Sequence, residues 1–206
     1  MTEAVAAGLA AYAHARTDGA AGAPLVLTFH GTGGDEHQFH GLAEDLVPGA
    51  HVISPRGDVM EGPHARFFRR RAEGVYDMED LARAVAKMAG FVAAARAETG
   101  AARAIGLGYS NGANILAATA VAHPDLLDDL ALMHPLIPWA PAPQPGLSGR
   151  RVLITAGRRD PICPPVQTDA LAMWLESQGA AVTLDWHAGG HEIAPQEIDA
   201  LRRFLG

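Results

Sequence analysis

The chain has 206 residues, 49% apolar and 19% charged, with a formal net charge of -7. That suits one domain with a sizeable core, and it disfavours disorder, nucleic acid or anionic membrane as the main theme. One cysteine, Cys163, excludes an internal disulfide framework, and an acid in MTEAVAAGLA stands where a secretory leader needs positive charge.

In chain order, AYAHAR (11–16) alternates like a strand although its alanines suit a helix. We read it as an edge strand before a turn at DGAAGAP. PLVLTFH (24–30) and HVISP (51–55) are short apolar runs ending in His or Pro, and they read as buried parallel strands. A helix follows over 77–98, with Asp77 as N-cap and Leu81, Val85, Met88 and Val92 on one face. RAIGLGY (103–109) is the next strand and leads into a helix from about 111. LALMHP (130–135) and RVLITAG (151–157) are two more strands, joined through the proline-rich loop PWAPAPQPG. A helix over 165–178 ends at Gly179, AVTLDWH (181–187) is the last strand, and a final helix from about 195 carries Ile198, Leu201 and Leu205. Strand and helix alternate throughout, so the expected fold class is α/β: one domain, 1–206, with a doubly wound, mostly parallel sheet flanked by helices.

The stretch GYSNGA (108–113) sits where a strand becomes a helix. Gly106, Gly108 and Gly112 miss the dinucleotide fingerprint by one residue, and no Gly-Lys-Ser/Thr phosphate loop is present. The template G-x-S-x-G fits without a gap, and its turn lifts a strained serine above the sheet. Ser110 is therefore the candidate nucleophile, weighed against a plain tight turn. A serine needs a base, and the base needs an orienting acid. Asp160 follows RVLITAG and His191 follows AVTLDWH, both past strand ends and in the order serine, acid, histidine. Either could be an ordinary loop residue. His187 and Asp185 are the nearest competitors and rank lower because they lie within the strand or at its end.

HGTGGDE (30–36) follows the strand at 24–30. Its glycines allow backbone N–H groups to approach a developing oxyanion, and Thr32 and Asn111 are the candidate donors. The ten histidines lack metal-ligand spacing, and no cofactor motif occurs, so neither metal nor cofactor is expected. Cys163, between Ile162 and Pro164, reads as structural. RFFRRR (66–71) reads as a solvated charge run or a pocket wall. Phe67, Phe68, Leu136, Ile137 and Trp139 are candidate substrate-binding residues. With no large insertion to make a lid, a shallow pocket is expected.

FHGTGGDEHQF, SPRGDVMEGPHARFFRRRAEGVYDMEDL, GYSNGANI, ITAGRRDPICP and GGHEI together resemble the small carboxylesterase/phospholipase-type α/β-hydrolases, in particular the bacterial carboxylesterase branch linked to hydroquinone resistance. The resemblance runs from about residue 24 to the C-terminus. It implies the α/β-hydrolase fold, with Ser110 as nucleophile, Asp160 as acid, His191 as base, and oxyanion amides at Thr32 and Asn111. Asn111 departs from the acyl-protein thioesterase branch, which has Gln after the serine. The resemblance implies an enzyme for small esters and a homodimeric tendency among relatives; the acidic N-terminus and the lack of a long apolar span are read as marking a cytoplasmic protein. A lysophospholipase or acyl-protein thioesterase is the alternative; a non-catalytic small-molecule-binding member of the fold is a further one. A dienelactone hydrolase would want Cys in place of Ser110.

Overall fold

The computed structural model describes residues 8–206. Residues 1–7, which carry the acid of the N-terminal reading, lie outside the described residues. The central sheet holds β1 (His14–Thr17), β2 (Leu25–Phe29) and β3 (His51–Pro55), then β8 (Ala104–Tyr109), β9 (Asp129–Met133), β10 (Arg151–Gly157) and β11 (Ala181–His187). Two small antiparallel ribbons, β4 (Val59–Glu61) with β5 (His64–Arg66) and β6 (Arg70–Ala72) with β7 (Val75–Tyr76), fill the connection after β3. The helices are α1 (His40–Leu46), α2 (Met78–Thr99), α3 (Asn111–Ala122), α4 (Pro165–Ser177) and α5 (Pro195–Leu205).

Spatial order in the sheet is β1-β3-β2-β8-β9-β10-β11, parallel throughout except for the antiparallel edge strand β1. The chain winds outward from β2 to β3 and then returns to β8 on the other side. The β2/β8 boundary is thus the switch point of the fold, where strand carboxyl ends leave a crevice. Both loops that frame the site start there.

β2, β3 and β9 are buried along their whole length, as strands covered on both faces must be. Leu25, Leu27, Phe29 and Ile53 join α2 and α3 residues such as Met88, Phe91, Val92, Ile115 and Leu116 in the larger core. The opposite sheet face sends Leu107, Met133 and Leu153 against Phe39 and Leu201. The edge strands β1 and β11 keep more exposed positions. The expected edge strand at 11–16 is β1, shortened and shifted toward Thr17.

Helix α2 starts as the sequence predicts. The Asp77 side chain accepts from the Asp80 amide at 3.1 Å, and Gly100, at φ 65°, ends the helix. The ribbons between Pro55 and Asp77 lie where the sequence reading placed a loop, whereas the helix expected to begin in HGTGGDEHQFH is α1. Strands of two or three residues leave no usable period. Among the described residues no helix is long and apolar enough to cross a membrane.

Candidate active site

Strand β8 turns into α3 through Ser110, whose backbone sits at φ 51°, ψ -118°. A non-glycine residue there carries strain that its surroundings must hold in place. Two glycines make the turn possible by close approach. A Cβ on Gly112 would stand 2.2 Å from the Phe29 carbonyl oxygen, and one on Gly108 would stand 2.7 Å from that of Gly112. The Ser110 amide donates to the Met133 carbonyl at 2.9 Å, tying the elbow to the end of β9.

Ser110 Oγ lies 2.8 Å from His191 Nε2, and His191 Nδ1 lies 2.7 Å from Asp160 Oδ2. His191 stands on the loop after β11, and Asp160 on the loop after β10. The Tyr109 hydroxyl donates to the His191 carbonyl at 2.6 Å and pins that loop beside the elbow. Asp160 is buried, and its Oδ1 accepts from the amides of Ile162 and Cys163 at 2.8 and 2.9 Å. Burial by itself would raise the Asp160 pKa; the Cys163 amide and the two imidazoles around it outweigh that and hold it below the usual carboxylate range.

Opposite the serine, the loop after β2 presents Thr32. Its hydroxyl accepts from Arg66 Nη1 at 2.6 Å, and the following amide, Gly33, donates to the Ala65 carbonyl at 2.9 Å. The amides of Thr32 and Asn111 have no protein acceptor among the described residues, and both residues line the cleft that holds Ser110. Asn111 opens α3, where the first amides have no carbonyl one turn back. The arrangement is chemically able to activate a hydroxyl and to receive a developing negative charge.

No protein-family model matches the chain. A curated Bacillus subtilis (strain 168) protein, "Putative hydrolase MhqD", is 36% identical over 182 residues, 87% of this chain and 91% of its own. The crystal structure of the Bacillus cereus carboxylesterase superposes with a TM-score of 0.89 at 34% identity, covering 99% of this chain and 98% of that one. The chain belongs to the carboxylesterase-type α/β-hydrolase family. A crystal structure of an Agrobacterium tumefaciens str. C58 protein of unknown function, 53% identical, reaches a TM-score of 0.91 over 96% of this hydrolase and 97% of its own chain.

The cleft of this hydrolase has a volume of about 180 Å³. Of the five side chains expected to bind substrate, only Leu136 lines it. Phe67 and Phe68 are fully buried and belong to the core beneath. The Phe67 ring packs edge-on to Phe29 at 5.9 Å, and Phe68 packs against Tyr76 at 4.8 Å. Large rings gain more by complete burial than by lining a wet cleft. The Phe67 amide, which donates to Asn111 Oδ1 at 2.8 Å, holds that segment down. Ile137 and Trp139 line a separate apolar depression with Leu171 and Trp174. RFFRRR divides its roles: Arg66 and Arg70 are cleft walls, while Arg69 and Arg71 are exposed.

His187, the competing histidine, is buried, and its hydrogen bonds do not reach Ser110. Asp185 pairs with Arg203 at 3.1 Å. Cys163 is buried and donates from Sγ to the His134 carbonyl at 3.2 Å; burial pushes its thiol up, away from the reactive thiolate. Sequence reasoning missed the residues behind Asp160. His134 Nδ1 lies 2.7 Å from the same Oδ2 that His191 meets, and Glu197 lies behind His134, with Oε1 3.2 Å from its Nε2. The only signal was the His before the final Pro of LALMHP.

The donor atoms of His134, His187 and Glu197 are also close enough to hold a metal. The Gly189 amide donates to His187 Nδ1 at 3.1 Å, however, which leaves the ring proton on Nε2, the atom a metal would need. That tautomer suits a hydrogen-bonded cluster.

Proposed function

We propose that this hydrolase is a serine esterase for small, short-acyl carboxylic esters. The observation that carries the reading is the Ser110–His191–Asp160 line, 2.8 and 2.7 Å, set on a strained elbow. Ser110 Oγ attacks the acyl carbon while His191 Nε2 takes its proton. Asp160 holds the imidazole with Nδ1–H inward and stabilises the imidazolium that forms. The Thr32 and Asn111 amides receive the tetrahedral oxyanion. His191 then protonates the leaving alcohol, and water, activated by the same imidazole, releases the acid from the acyl-enzyme.

Size supports the small-ester reading. A cleft of about 180 Å³, walled by Arg66, Arg70 and Glu73 as well as Tyr76, Leu136 and Ile162, leaves little room for a long acyl chain. Each methylene is worth about 0.8 kcal/mol only where it is buried. A fluorophosphonate probe should label the protein once, at Ser110, and Ser110→Ala should abolish labelling. Across a p-nitrophenyl ester series kcat/KM should peak at roughly C2 to C6 chains. Labelling at Cys163 would defeat the serine assignment. A steady rise through long chains would favour the lysophospholipase or thioesterase alternative.

A further inference from the structure

His134 stands at the end of β9 with φ 51°, the only non-glycine residue besides Ser110 in the left-handed region among the described residues. It is wholly buried. Its amide donates to the Thr155 carbonyl at 2.8 Å, and its carbonyl accepts from the Cys163 thiol. Strain of this kind persists where surrounding contacts over-determine it. Here they aim the ring between two buried carboxylates, Asp160 at 2.7 Å and Glu197 at 3.2 Å.

We propose that His134 and Glu197 are positioning residues for the Asp160–His191 pair, with His134 held as an imidazolium that shares Asp160 Oδ2 with His191. The placing of the ring between two buried carboxylates leads there. Glu197 already accepts from the Thr155 hydroxyl at 2.5 Å and the Ala194 amide at 2.6 Å. His187, with its proton on Nε2, stands 3.4 Å from Glu197 Oε2. A neutral His134 has one N–H and serves one carboxylate; the imidazolium serves both. Two buried carboxylates with no cation between them would be costly, and one imidazolium offsets both.

Of the charged or titratable groups facing His134, the two carboxylates favour this state; His187 Nε2 lies 3.3 Å from His134 Nε2, and in this state its proton turns to Glu197 Oε2 at 3.4 Å. Asp160 comes from the β10 loop, Glu197 from α5, His187 from β11 and His191 from the loop beyond, its ring 5.0 Å away. Tyr109 on β8, 5.8 Å away, is pushed up to about 12 chiefly by burial and stays neutral, as does the buried Cys163 thiol. Burial opposes a charged His134, yet the bonds to Glu197 and Asp160 prevail and raise its pKa above the ordinary histidine range.

The consequence reaches His191. A cation on the far side of Asp160 drains part of the carboxylate's field and repels the imidazolium that His191 becomes. Removing that cation favours protonated His191, so the acid limb of the rate profile moves to higher pH.

The kinetic arm rests on the esterase reading; the first arm does not. In protein labelled with ¹⁵N-histidine, NMR at pH 8 should find His134 protonated on both nitrogens. His134→Asn assigns the signal, and Glu197→Gln should return it to a neutral ring. The acid limb of kcat/KM should shift upward in Glu197→Gln by about half to one pH unit. It should shift the same way in His134→Asn, which keeps a donor toward Asp160 without the charge, and Glu197→Asp should restore it. A neutral His134 at pH 8 in the unmodified protein overturns the proposal. So does a uniform rate loss with an unmoved acid limb, which is what a purely structural brace would give. If no ester is turned over, the function reading fails, and the NMR state of His134 still decides the relay.

Discussion

The ribbons between Pro55 and Asp77 and the cluster behind Ser110 use the same chemical groups in opposite ways. Arg70 meets Glu61 at 2.9 Å and also pairs with Glu73, and all three side chains are partly exposed. Arg69 is shared between Asp77 and Asp80, at 3.4 and 3.2 Å. Behind the serine, Asp160 and His134 have no solvent exposure, and Glu197 has almost none. Water can replace the partners of Arg70 in the ribbons; nothing replaces one in the cluster. Exposed pairs are worth about 0–1 kcal/mol, whereas breaking a buried pair costs about 3–5 kcal/mol. Where charge is kept away from water, it works as fixed machinery.

Four measurements sharpen or break that contrast. The largest expected effect is catalytic. Asp160→Asn should lower kcat by about 10⁴-fold, because the amide favours the wrong His191 tautomer; a loss under tenfold in a folded variant would remove Asp160 from its role. Next, Glu197→Ala strips the buried cluster of an anion and should cost about 3–5 kcal/mol in denaturant unfolding.

The third is a pH effect. Burial opposes the charged forms of Asp160 and Glu197, but their hydrogen bonds hold both pKa values below the ordinary range in the folded protein. The folded state therefore binds fewer protons than the unfolded one. This contribution is complete above the unfolded carboxylate values, about 4, and is lost as pH falls through the lower folded values. The Tm of the unmodified protein should drop over that acid window, and Glu197→Ala should flatten the drop. The smallest effect is expected in the ribbons: Arg70→Ala should change stability by no more than about 1 kcal/mol, shrinking further in high salt. Equal costs for Arg70→Ala and Glu197→Ala would erase the distinction between the two regions.

Much of this was legible from residues. The buried strands announced themselves as short apolar runs: HVISP, RVLITAG and AVTLDWH match β3, β10 and β11 end to end. Ser110, Asp160 and His191 were legible because a glycine-flanked serine and polar residues just beyond strand ends are local patterns. The substrate wall was not. Phe67 and Phe68 sit in a polar stretch that suggests exposure, and only the tertiary packing against Phe29 and Tyr76 turns their rings into the core. Glu197 was hidden for another reason: at the start of an amphipathic helix a glutamate looks like a solvated first-turn acid.

The sequence by itself determined the strand–helix alternation, the elbow at Gly108–Gly112 and the chain order of Ser110, Asp160 and His191, the residues proposed to react. Backbone sterics and hydrophobic period act over a few residues and can be read there. Only the tertiary structure decided which side chains face the cleft, and that His134 and Glu197 meet behind Asp160. Those contacts span separations of 26 and 63 residues along the chain, and no local pattern encodes them. They form because the sheet brings the ends of β9, β10 and β11 together at one edge of the crevice, where buried polar groups must find partners or pay the full cost of desolvation.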